Sequence, residues 1–182
     1  MKTLDLREDH ATSLVLDALR RGPIVLRLPT VFAVLAPATT DGVRALDHGK
    51  RRRPGKTYGS LVGDSQAFWS MALGLSEDRQ RQCGAVEDVF FRVVVAAPGF
   101  SSAVVCRGTH QGLLLSGVTR ALAREVEKAF APAPELFGGQ HYSAPLVSSW
   151  NISGDPAGTI TELDLARALA ERQGIGLFLT GP

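Results

Sequence analysis

A chain of 182 residues with 45% apolar and 21% charged side chains, 19 Gly and 10 Pro is long and hydrophobic enough to bury one sizeable core. That excludes an intrinsically disordered chain and leaves little room for two full domains, so residues 1–182 are expected to form a single ordered α/β domain. The formal net charge of +2 hides an asymmetry: of 20 Lys and Arg, five (Lys50, Arg51, Arg52, Arg53 and Lys56) fall within one short loop, leaving 15 against 18 acidic residues. A cluster of that kind suits a phosphate-bearing ligand in a cleft better than nucleic acid spread along a basic face. Cys83 and Cys106, without Cys-x-x-Cys spacing, give neither a disulfide framework nor a zinc site, so a reduced, cytoplasmic protein is expected. The polar start "MKTLDLREDH" is no signal peptide, and no apolar run approaches the roughly 18 to 20 residues of a membrane span, so no membrane partner is expected.

In chain order, "EDHATSLVLDALRR" (8–21) places Ala11, Leu14, Val15, Ala18 and Leu19 at helical spacing before Gly22-Pro23 stops the pattern. "IVLRL" (24–28) and "VFAVLA" (31–36) read as buried strands, and a helix is expected from about Thr40 to Asp47, feeding the basic loop. "YGSLVG" (58–63) reads as a strand, with Asp64 as N-cap of "SQAFWSMAL" and a polar helical stretch through Gln82. Strands are expected at 89–97, 103–106 and 112–116, and a helix over 118–130 with Val118, Leu122, Val126 and Ala129 on one side. "PLVSSW" (145–150) is a strand running into the polar turn "NISGDPAGT". A helix over 160–174, closed by Gly174, precedes a last strand "GLFL". Hairpin-length and crossover-length connections both occur, so one mixed sheet covered by helices is expected.

"HGKRRRPGKTYGS" (48–60) ends like a nucleotide-binding P-loop, but Gly49 to Gly55 encloses five residues where the motif needs four, and a strand follows where a helix is required. The same cations would suit nucleic-acid phosphates, with Tyr58 the single nearby stacking platform, or would simply form a solvated loop. No nucleophile elbow or zinc-protease motif occurs, and His10, His48, His110 and His141 lie far apart without metal spacing. A second polar constellation follows the strand at 145–150: Ser148, Ser149 and Asn151, then Ser153-Gly154. Hydroxyl and amide groups at the end of a buried strand face the crevice where α/β sheets bind ligands. Basic loop and strand end together would hold a nucleotide. Phe68 and Trp69 read as core, whereas Trp150 sits unexpectedly in a polar turn.

Lys50-Arg51-Arg52 with Lys56, and "PLVSSWNISG" at 145–154, resemble the signature of the YrdC-like family, the threonylcarbamoyl-AMP synthases of tRNA t6A modification: a Lys-x-Arg followed four residues later by Lys, then a distant "PLVSTSANLSG" type strand. Helix, "G-x-I-V" at 22–25, Pro29-Thr30, motif, "LVGD" and serine strand come in the family's order. The resemblance implies a twisted mixed sheet with a large basic concave cleft. It also implies a nucleotidyltransferase joining ATP, bicarbonate and L-threonine, with Mg²⁺ brought by ATP and no metal ligated by the protein. Lys50 and Arg52 would be catalytic, and Lys50, Arg52, Lys56, Ser149 and Asn151 would bind ATP and its phosphates. Thr30, Ser148 and Ser149 would bind substrate. The alternative is a non-catalytic relative that binds tRNA, double-stranded RNA or nucleotide in the same cleft. The chain departs from the family at the shortened "LPTVFAVL", at "VEDVFFRVVV" in place of Gly-Pro-x-Thr, at "GLLLSG", which lacks a strand Arg, and at Trp150, which replaces an alanine.

Overall fold

A computed structural model describes residues 1–96 and 98–181. In chain order it contains β1 (Lys2–Asp5), α1 (Ala11–Arg21), β2 (Ile24–Arg27), β3 (Phe32–Ala36), α2 (Thr40–Lys50), β4 (Gly59–Val62), α3 (Ser65–Ser70), α4 (Glu77–Gly84), β5 (Val89–Val94), β6 (Thr109–Leu114), α5 (Gly117–Ala129), β7 (Leu146–Ser149), α6 (Leu163–Arg172) and β8 (Leu177–Thr180). The strands form one eight-stranded sheet in the order β1-β8-β2-β3-β7-β4-β6-β5. Pairing is mixed: β1 with β8, β8 with β2 and β4 with β6 are parallel, and the other neighbours are antiparallel. This is the expected α/β architecture of a mixed sheet covered by helices.

Both faces of the central strands are apolar because both are covered, which is why β2 and β3 read as continuous hydrophobic runs. One face carries Phe32, Val34, Val62, Leu146 and Phe178 under α6 (Ala166, Leu169, Ala170), α2 (Leu46) and α3 (Phe68, Trp69). The other carries Ala33, Leu35, Leu61 and Val147 under α1 (Ala11, Val15, Ala18, Leu19) and α5 (Leu122, Ala123, Val126). The end of β4 approaches α5 so closely that a Cβ on Gly63 would lie 2.4 Å from the Arg124 nitrogen, and the Glu127 carboxylate accepts the Gly63 and Asp64 amides at 2.8 Å each.

Several expectations are corrected. Strand β1 escapes the sequence reading because Leu4 is its single buried side chain, and its register is set by parallel pairing with the distant β8. The run 103–106 is not a strand: it forms turns with one isolated bridge, Cys106 to Thr109, and Ala103 and Val104 turn their carbonyls to the Tyr58 amide and the His110 ring. The polar stretch after α3 is a separate helix, α4, capped by Ser76. Strand β5 ends at Val94. Ala97, the last residue of the expected strand, lies outside the described residues. On α5, Thr119 and Ala123 are buried while Val118 is exposed. Helix α2 continues three residues past Asp47, so Lys50 belongs to the helix and not to the loop.

Candidate functional site

Helix α2 starts at Thr39, whose hydroxyl accepts the Gly42 amide at 3.0 Å, and ends at Arg51, a left-handed C-cap at φ 46. The left-handed turn lets the Arg51 amide reach the His48 carbonyl and the Arg52 amide the Asp47 carbonyl, which closes the helix without a glycine. Lys50, the last helical residue, is thereby directed inward. It is 1% exposed, and its ammonium donates to the Ser149 carbonyl, to the Asn151 carbonyl at 2.9 Å and to Asn151 Oδ1 at 2.9 Å. Ser149 Oγ donates to the same Oδ1 at 3.0 Å, the Ser153 amide donates to the Lys50 carbonyl at 2.9 Å, and the Arg53 amide donates to Ser153 Oγ at 3.3 Å. Two segments a hundred residues apart are thus clamped together. Burial, with the Arg52 guanidinium nearby, pushes the Lys50 pKa down to about 7, while three oxygen acceptors favour its charged form.

Arg52 turns the other way. Its guanidinium lies 4.3 Å from the centre of the Tyr58 ring, and its terminal nitrogens donate to the Thr57 carbonyl and to Ser148 Oγ at 3.3 Å. Tyr58 is buried and donates its hydroxyl to Asp47 at 2.7 Å, so the platform beneath the guanidinium is itself fixed. Burial, followed by the Asp47 hydrogen bond, raises the Tyr58 pKa and keeps the phenol neutral. The buried Arg52 Nε has no hydrogen-bond partner among the described residues.

On the α1/α5 face of the sheet, a cleft of about 480 Å³ opens between the β2–β3 hairpin and the start of β5. Thr30, Thr57, Ser148, Ser149 and Gln111 line it, with Ala33, Gly59, Leu113 and Val147 among its apolar residues and Asp88 and Phe90 toward β5. Register explains the grouping. Ala33 lies opposite Ser149, and Gly59 opposite Val147, so strand ends from three neighbours meet on one face. Gly59 keeps the floor low, since a Cβ there would come within 3.3 Å of Gln111.

The structure therefore brings Lys50, Arg52, Ser148, Ser149 and Asn151 together and places Thr30, Ser148 and Ser149 along the cleft. Neither Lys50 nor Arg52 is among the residues that line the cleft; the Lys50 ammonium is enclosed by the Ser149 and Asn151 carbonyls and the Asn151 amide oxygen, and Arg52 meets the cleft through Ser148. Lys56 is exposed on the loop. Arg53 lies across the Ser153-Gly154 turn, where a Cβ on Gly154 (φ 81) would meet its guanidinium carbon at 2.2 Å. Trp150 points away from Ser149, into the opposite face, and is wholly buried, with Nε1 donating to the Ala166 carbonyl at 3.0 Å. It does not enter the cleft. Asp88 and Phe90 line the cleft although the sequence reading gave them no role. The available signal was an aromatic, Phe90, at an outward position of an alternating strand.

His110, fully buried among Phe68, Phe137 and Tyr142, donates Nδ1–H to the Val104 carbonyl at 2.8 Å and accepts the Ser60 hydroxyl at Nε2, 3.0 Å away. Burial pushes its pKa from 6.5 down to about 4. Between those values the unfolded chain binds a proton that the folded chain refuses, so stability contributed at higher pH is lost as pH falls. The full loss is about 3 kcal/mol, from 1.36 kcal/mol per pKa unit. Urea unfolding at pH 7 and pH 4.5 should show this loss in the wild type and a shallower one in His110→Gln. Equal pH slopes in the two would contradict it.

No family model and no curated protein matches the chain. Solved structures do. P. abyssi Sua5 complexed with L-threonine superposes with a TM-score of 0.70 at 14% identity, over 100% of this chain and 50% of that one. E. coli YciO gives 0.69 at 13% identity over 99% and 82%. Full-length HypF in its phosphate- and nucleotide-bound form gives 0.65 at 14% identity over 92% and 24%. The chain thus spans about half the length of the Sua5 protein it matches. At such identities the likeness is one of architecture, and it establishes that this chain has the mixed-sheet α/β fold shared by Sua5 and YciO.

Proposed function

We propose that the cleft binds ATP with its phosphates at the Arg52 end, and that the protein forms a carbamoyl-type adenylate as a threonylcarbamoyl-AMP synthase does, with L-threonine and bicarbonate as first candidate co-substrates. The observation that carries the reading is Arg52: a guanidinium stacked on Tyr58 and tied to the Ser148 hydroxyl, a residue that lines the cleft together with Ser149. A planar fork fixed in this way suits phosphate oxygens. Support for this use of the cleft comes from its relatives in fold: one Sua5 structure holds L-threonine, and a HypF structure is phosphate- and nucleotide-bound.

In this reaction an oxygen of the carbamate formed from amine and bicarbonate attacks the α-phosphorus of ATP, and pyrophosphate leaves. No protein nucleophile is required. Arg52 offsets charge on the phosphates, and the Ser148 and Ser149 hydroxyls orient oxygens near the reacting centre. Lys50 and Asn151 act through the strand end, holding Ser149 in place. Lys56 reaches the outer phosphates from the exposed loop, Thr30 lines the far side, and Mg²⁺ enters with the triphosphate.

Pyrophosphate release from ATP, bicarbonate and L-threonine tests the reading. Arg52→Ala should lower the rate by about a hundredfold or more, the scale of losing one preorganised donor. An unchanged rate in Arg52→Ala would remove Arg52 from the site. Absence of pyrophosphate, together with tRNA binding that weakens steeply with salt, would overturn the synthase reading in favour of RNA recognition by the exposed Arg51, Arg53 and Lys56.

A further inference from the structure

Among the described residues seven large apolar side chains are exposed, and four of them, Leu73, Val86, Phe90 and Val94, lie on β5 or directly beside it. Strand β5 is also an edge of the sheet. Its backbone directions follow from two hydrogen bonds: the Val95 amide donates inward to the Gly108 carbonyl, and the Val94 carbonyl turns outward and accepts the Leu73 amide. Successive residues alternate, so Phe90 and Arg92 turn their amides and carbonyls outward as well, away from β6. The opposite edge of the sheet is blunted. In β1 the Asp5 amide donates to the Glu8 carboxylate at 2.9 Å, and the Asp5 carboxylate is held by Arg7. The β5 edge has no such cover over Phe90 and Arg92, and an open, apolar edge is a template for pairing with another strand.

The charges on β5 select the partner. Asp88, Phe90 and Arg92 are exposed alternate residues on one side of the strand. Four residues of extended chain span about 13 Å, so Asp88 and Arg92 of one copy do not neutralise each other. Arg92 forms no ion pair among the described residues. In an antiparallel pair of two β5 strands centred on Phe90, the two Phe90 residues face each other and exchange two backbone hydrogen bonds, and Asp88 of each copy faces Arg92 of the other. Asp88, at φ 57, ends the strand, so that contact is made by side chains. Ser116 already donates to its carboxylate through amide and hydroxyl at 2.9 Å and 2.8 Å, which fixes the group and leaves acceptor sites for a guanidinium. The same register sets Val94 against Val86 of the other copy, next to Leu73. Centring the pair on Arg92 would instead oppose two guanidiniums.

We propose that two copies of this chain associate through the outer edge of β5, as a twofold antiparallel strand pair centred on Phe90 that joins the two eight-stranded sheets into one. Such an interface is isologous, which a self-complementary Asp88/Arg92 pattern requires. It does not depend on what the cleft binds.

Sedimentation equilibrium tests it. The wild type should be dimeric at about 100 μM. Arg92→Asp opposes two acids at both ends of the pair, Asp88→Arg opposes two cations, and each should raise the dimer dissociation constant at least tenfold. An equimolar mixture of the two variants restores opposite charges at both ends and should form a heterodimer. Phe90→Pro removes an amide that β6 does not use, so it should abolish the dimer while the protein keeps a cooperative unfolding transition. Because Asp88→Arg gives up the Ser116 contacts, Arg92→Asp and Phe90→Pro decide the matter if that variant does not fold. A monomeric wild type, a dimer that survives both of those substitutions, or two folded charge variants whose mixture stays monomeric would each overturn the proposal.

Discussion

Lys50→Ala should lower the unfolding free energy by about 3 kcal/mol, because it takes the charged donor from the Ser149 and Asn151 carbonyls and leaves Asn151 Oδ1 with the Ser149 hydroxyl alone, at a site where the lysine is 1% exposed. Each hydrogen bond from a charged donor contributes about 1.5–3 kcal/mol, and three that share one ammonium do not add in full. The variant also empties the space of the lysine stem, which adds a packing loss. Lys50→Met refills most of that volume without supplying a donor, so it should recover only part of the stability. Urea unfolding at neutral pH measures both. If Lys50→Ala unfolded within about 1 kcal/mol of the wild type, the lysine would not be the clamp between α2 and the 149–153 segment, and its ammonium would have to be counted as a ligand contact.

The second large effect belongs to Trp150. It is 0% exposed and belongs to the same core cluster as Phe32, Phe178 and the α6 residues Ala166 and Leu169, and its indole donates to the Ala166 carbonyl. Trp150→Ala should cost about 3–5 kcal/mol, the range for deleting a buried large aromatic. Trp150→Phe keeps much of the apolar area but removes the indole's hydrogen bond to a carbonyl that α6 already engages, and about 1 kcal/mol is expected. Neither variant touches the cleft wall, so at temperatures where the protein stays folded the affinity for ATP should change little. A Trp150→Phe protein with normal stability and lost ATP binding would place the indole in the site after all.

The chemistry-bearing residues of the clamp were legible as two polar segments, Lys50 with Arg52 and Ser148 with Asn151. Their meeting was not a consequence of composition or period. It depends on β7 pairing antiparallel with β3, which carries Ser149 back to the end of α2. The burial of Lys50 was hidden for a physical reason: a run of cations normally marks a solvated loop, and only the left-handed Arg51 lets the helix reach position 50 and turn that side chain inward. Trp150 was in principle readable, since neighbours on a strand alternate faces and a Ser149 in the cleft requires a Trp150 in the opposite core. Strand β1 was not, because a single apolar residue in "KTLD" carries no period and its pairing comes from the far end of the chain. Asp88 falls between these cases. Its acidic character was visible, but its place beside the cleft follows from the β5–β6 hairpin and the Ser116 contacts, which no local pattern encodes.

Titrating ATP into the wild type and Arg52→Ala by calorimetry tests most directly whether the cleft beside Arg52 is a nucleotide site. Saturable binding by the wild type, weakened at least tenfold in Arg52→Ala while the variant keeps a cooperative unfolding transition, is the predicted result. Equal ATP affinity in the two proteins, or no binding by the wild type, would contradict it.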